Sequence, residues 1–87
     1  MISSTDVTFE YVSAEEPDTI GMEAYFEGNM LFSVDMNDQG ALTIMFDDAE
    51  NAEFEIATFR LLIDRCENEL KAWRARLVKP GSVWGEA

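Results

Sequence analysis

Apolar and polar side chains alternate along most of the first half of the chain. In Val7-Thr8-Phe9-Glu10-Tyr11-Val12, the residues Val7, Phe9 and Tyr11 share one face, the pattern of a half-buried strand. Glu15-Glu16-Pro17-Asp18 interrupts it, since proline and clustered charge punctuate a loop. Ile20, Met22, Ala24 and Phe26 then alternate against Gly21, Glu23, Tyr25 and Glu27. Met30, Phe32, Val34 and Met36 alternate against Leu31, Ser33 and Asp35. Leu42, Ile44 and Phe46 alternate against Ala41, Thr43 and Met45.

The period of two also predicts the register. A three-residue loop, Glu27-Gly28-Asn29, pairs Phe26 with Met30. It sets Ala24 against Phe32, Met22 against Val34 and Ile20 against Met36. A two-residue Gly28-Asn29 turn would instead put Glu27 on the core face. Across Asn37-Asp38-Gln39-Gly40-Ala41, Met36 faces Leu42, Val34 faces Ile44 and Phe32 faces Phe46. One face of an antiparallel meander is therefore apolar throughout and needs a cover.

After residue 50 the period changes. Ile56, Phe59, Ile63, Cys66, Leu70, Trp73 and Leu77 step by three and four, widened by Leu61 and Leu62, which is an amphipathic helical stripe. Asp48, Glu50, Asn51, Glu53 and Glu55 suit the positive end of a helix and offer capping oxygens. Lys71, Arg74, Arg76 and Lys79 suit its negative end, and Pro80-Gly81 stops it. The expected fold is α+β. It is one domain over residues 1–87: a four-stranded antiparallel β-meander at 7–46, a long C-terminal amphipathic helix at 52–78 packed across one face, and a tail at 79–87. Such a helix is roughly 35 Å long at ~1.5 Å per residue. Strands of six or seven residues span only about 20–24 Å. The C-terminal helical turns are therefore expected to overhang the sheet at Leu70, Trp73 and Leu77. With Trp84 of the tail they are the expected self-association residues of a homodimer.

Charge adds a second asymmetry. The 87 residues carry eighteen Asp and Glu against six Lys and Arg, a net charge of −12. Fourteen of the acids precede residue 60 and all six bases lie at or beyond Arg60. Acids before a helix and bases at its end account for part of this. The remainder makes the strands wholly acidic, a field that repels phosphate and anionic lipid and attracts basic surfaces. Neither nucleic acid nor membrane is an expected direct partner. No apolar run approaches the ~20 residues that cross a bilayer. The first residues have neither the basic region nor the apolar stretch of a signal peptide. One cysteine excludes an internal disulfide, so a cytoplasmic location is expected.

Candidate chemistry is sparse. Asp35-Met36-Asn37-Asp38-Gln39-Gly40 has the opening oxygens of a calcium loop, but its twelfth position is Phe46, and a hairpin loop explains it better. Asp47, Asp48 and Glu50 read as a helix-preceding loop. No metal or cofactor is expected. Without any histidine the chain can build no Cys-His or Ser-His pair, and Cys66 lies inside the apolar stripe. The five glycines are scattered singly, so none of them forms a phosphate cradle. The helical bases alternate with Asp64, Glu67 and Glu69, which favours surface ion pairs such as Glu67–Lys71.

The outer sheet face is the remaining candidate. There the expected register sets Tyr25 across from Leu31 and Met45 across from Ser33, with Glu10, Glu23 and Asp35 around them. An apolar centre within an acidic rim suits a basic protein surface, including that of a nucleic-acid-binding protein. The expected function is a small acidic, non-catalytic binding module that occupies a basic site on a partner. Phage anti-defence inhibitors, anti-CRISPR proteins among them, and immunity proteins against nucleases are built to this size and charge. The alternative is a structural or assembly subunit acting through homo-oligomerisation.

Overall fold

A computed structural model describes residues 1–13, 18–47 and 52–78. Expectations that rest on Glu15, Glu16, Asp48, Glu50, Asn51, Lys79 and Trp84 lie outside the described residues. A short 3₁₀ turn, Ser4–Asp6, precedes β1 (Thr8–Ser13), β2 (Thr19–Phe26), β3 (Asn29–Asn37) and β4 (Leu42–Phe46). One helix follows, α1 (Ile56–Leu77). The strands form an antiparallel sheet in sequence order, with α1 lying over β2, as the α+β meander required.

Most of the register follows the alternation. Ile20 faces Met36, Met22 faces Val34 and Ala24 faces Phe32. Met36, Val34 and Phe32 in turn face Leu42, Ile44 and Phe46. The β2–β3 hairpin differs. Its loop is the two-residue Glu27-Gly28, both at positive φ (50° and 82°), the geometry that matches strand twist. Phe26 pairs with Asn29 and Tyr25 with Met30, and the register then shifts between Ala24 and Tyr25. Leu31 is the extra residue of that β-bulge. Its carbonyl still accepts from the Asp47 amide at 3.1 Å. Because a bulge breaks the period of two, Leu31 and Phe32 both turn inward. Leu31 is only 5% exposed and belongs to the core, which corrects its expected place on the outer face.

The core lies between the inner sheet face and α1. Phe32, Met22, Met36, Leu70 and Cys66 are its largest fully buried side chains. Ile2, with no periodic signal around it, also joins the core, and its amide donates to the Glu53 carbonyl at 2.9 Å. Phe59 stacks on Phe46 with ring centroids 6.0 Å apart and meets Phe32 edge-on at 5.6 Å.

The expected helix overhang is absent at the C-terminal end. The cause is strand length: β2 has eight residues and β3 nine. At ~3.3 Å per residue β3 spans about 30 Å, close to the length of α1. Leu70 is fully buried, while Trp73 and Leu77 pack half-buried against the core of their own chain. Trp73 meets Tyr11 edge-on at 5.7 Å. Uncovered apolar surface lies instead at β4 and the start of α1. There Ile44, Phe46, Ile56 and Leu61 are exposed, the last two despite their places on the predicted stripe.

The helix ends also differ in part. Glu55 is the N-cap residue but its side chain caps nothing, and no acid lies in the first turn. Arg74 and Arg76 do sit in the last turn. Arg74 donates from Nε and a terminal nitrogen to the Asp38 carbonyl at 3.1 and 2.7 Å, clamping the β3–β4 hairpin to α1. That hairpin is shaped by Asn37, whose Oδ1 accepts from the Gln39 and Ala41 amides, and by Gly40 at φ +83°. The expected Glu67–Lys71 pair forms, at 3.7 Å.

Candidate protein-binding face

The outer side chains fall into rows that run across the strands. One row is Glu10, Glu23, Ser33 and Met45, one residue from each strand. The next is Val12, Gly21, Asp35 and Thr43, and on the other side lie Thr8, Tyr25 and Met30. Glu10, Glu23, Asp35, Tyr25 and Met45 are thus brought to one face, as expected. Met30 occupies the position opposite Tyr25 that had been expected for Leu31. Met45 is 67% exposed, and Met30 and Tyr25 are half-buried.

Two features make the electrostatics of this face unfavourable in isolation. Glu10 and Glu23 are directly opposite each other across two strands, an arrangement of like charges that destabilises a sheet. Among the described residues no Lys or Arg stands on a strand to offset it. Asp35 lies over the glycine of the neighbouring strand: a Cβ at Gly21 would meet its Oδ1 at 2.3 Å. Desolvation in that position, and then the Glu23 charge, push the Asp35 carboxyl above its ordinary value. The Tyr25 hydroxyl donates to Glu23 Oε1 at 2.8 Å, which raises the tyrosine pKa and fixes the glutamate on the face. Their i,i+2 spacing, which places both on one side of a strand, was the sequence signal for that bond.

On the helix side, basic residues are already engaged. The Arg65 guanidinium sits 4.7 Å from the Phe9 ring centre. Tyr11, at the margin of the inner face, donates to a Glu69 carboxylate oxygen, and that bond raises its pKa. Leu61, Arg65, Asn68, Glu69 and Ala72 line a depression on the flank of α1. Cys66 is fully buried, and burial pushes its thiol up to about 11. Among the described residues no three His, Cys, Asp or Glu side chains converge as a metal site requires, and no helix is long and apolar enough to cross a membrane. No protein-family model, curated protein or solved structure matches this chain.

Proposed function

We propose that this chain is a non-catalytic binding module whose outer sheet face docks on a basic site of another protein and blocks it. The supporting observation is the arrangement of that face. Three carboxylates, Glu10 from β1, Glu23 from β2 and Asp35 from β3, share that face with Tyr25, Met30 and Met45, and none of the described strands carries a base. A fold under selection for stability alone gains nothing from Glu10 opposite Glu23. A cationic partner surface removes that repulsion and satisfies Asp35, so the arrangement favours the complex over the free chain. The target class is a protein whose basic site takes phosphate, such as a nucleic-acid-processing enzyme. On such a target the carboxylates occupy phosphate positions, and the action is that of an inhibitor or immunity protein. The proposed setting is the cytoplasm, where Cys66 stays a thiol.

Kinetics with the isolated target test this. Removing Tyr25 and Met30 side chains with Ala should raise the dissociation rate, while charge reversal at Glu23 and Asp35 should mainly slow association. Unchanged rates for both double variants contradict the proposal. An assembly subunit is the second reading, and the exposed strand β4 is the observation that favours it.

A further inference from the structure

Among the described residues β4 is the only strand without a charged residue, Leu42-Thr43-Ile44-Met45-Phe46, and it forms one margin of the sheet. Sheet margins are ordinarily protected by charge, proline or a bulge. The other margin, β1, carries Glu10, but β4 has none of these devices. Ile44 is 41% exposed and Phe46 64%, although Phe46 stacks on Phe59 of α1, which packs mainly on β2. Among the described residues nothing pairs with the free side of this strand.

Backbone direction shows what would fit there. The Asp47 amide and the Ala41 carbonyl both bond to β3, to Leu31 and Asn37 respectively. Alternation along an antiparallel ladder then turns Thr43 and Met45 toward β3, and Leu42, Ile44 and Phe46 outward. An antiparallel second copy centred on Ile44 meets this requirement. It pairs Ile44 with Ile44, Leu42 with Phe46 and Phe46 with Leu42, each pair able to exchange two backbone hydrogen bonds. The same three residues carry their side chains on the inner face, so apolar groups also meet across the axis. In a chain of net charge −12, repulsion opposes association between copies and is weakest where the paired segment carries no charge, and β4 is such a segment.

We propose that two copies of this chain join through β4, making one continuous eight-stranded antiparallel sheet with a two-fold axis at Ile44. Because that axis is perpendicular to the sheet, both acidic faces point to the same side. The dimer thus presents two binding faces together, which goes beyond the single face proposed above.

Sedimentation of the purified full chain, alone, at micromolar concentration is the test, so its failure leaves partner binding untouched. The wild-type chain should be a dimer. Ile44→Glu and Ile44→Lys each set like charges opposite one another, and each should weaken self-association by more than about tenfold. An equimolar mixture of the two variants should recover the dimer, because opposite charges then meet at the axis. Misfolding of either variant would not be repaired by mixing. A wild-type chain that stays monomeric at low and high salt overturns the proposal and leaves the edge to a strand of another protein. Single variants that remain as dimeric as wild type also overturn it.

Discussion

Replacing Leu31 with Ala is the decisive perturbation of the sheet architecture, because a regular alternation and a bulged one give opposite outcomes. The side chain is 5% exposed and sits within the core cluster. Truncating a buried Leu costs about 2–5 kcal/mol, the spread reflecting how far the site can collapse. An 87-residue domain has roughly 4–13 kcal/mol in all, at about 0.05–0.15 kcal/mol per residue, so this is a large share. The melting temperature should fall by roughly 10–30 °C. Met30, on the outer face opposite Tyr25, provides the control: Met30→Ala should cost under about 1 kcal/mol. Urea unfolding followed by circular dichroism reads both, provided the slope m is unchanged. A neutral Leu31→Ala combined with a costly Met30→Ala would refute the bulge and return Leu31 to the outer face.

Further outcomes follow from single contacts. Cys66 should react with a thiol reagent at least about a hundredfold slower in the folded than in the denatured protein, since access requires opening of the helix; equal rates would remove it from the core. With its pKa raised from 9.0 to about 11, ionisation disfavours the folded state, so stability should decline as pH rises above about 9. Arg74→Ala removes both hydrogen bonds to Asp38 and should cost about 1–3 kcal/mol, with faster amide exchange at Gly40 and Ala41 and little change in β1; unchanged exchange there would show that the clamp is idle. Asp35→Asn should raise the melting temperature at pH 7. A carboxyl whose folded pKa is raised favours folding when protonated and opposes it when ionised, so the gain should vanish as pH falls below about 3.8. A lower melting temperature at pH 7 would contradict the desolvation of Asp35.

Most of the sheet was legible because burial on one face forces a period of two. Ile20 against Met36 and Phe32 against Phe46 needed only that period and a turn. The bulge was not legible by counting. A three-residue loop, and a two-residue loop plus one extra residue, give the same pairing beyond Ala24. Only the choice between Leu31 and Met30 separates them, and both are apolar. Helix length was legible from the three-and-four spacing, but the fate of its margins was not. Whether Ile56 and Leu61 are covered depends on where the helix lies on the sheet, which no local pattern encodes. The acidic residues of the outer face were placed correctly because Glu10, Glu23 and Asp35 all precede the bulge or lie beyond it in β3. The desolvation of Asp35 over Gly21 was hidden, since it depends on a glycine in the adjacent strand.

On the proposed function, the position of the outer carboxylates, and not total charge, should select the partner. A charge-matched comparison tests it most directly. One variant carries Glu23→Gln with Asp35→Asn. The other carries Asp64→Asn with Glu67→Gln on α1, where only the exposed Glu67–Lys71 pair is disturbed and little stability is at stake. Both lose two negative charges. Each, with the wild-type chain, is immobilised and used to capture basic proteins from a lysate over a series of salt concentrations, and the capture is quantified protein by protein. A basic protein should be held by the wild-type chain and the α1 variant with the same salt dependence, and lost from the sheet-face variant. Equal loss from both variants, or equal retention by both, would contradict it.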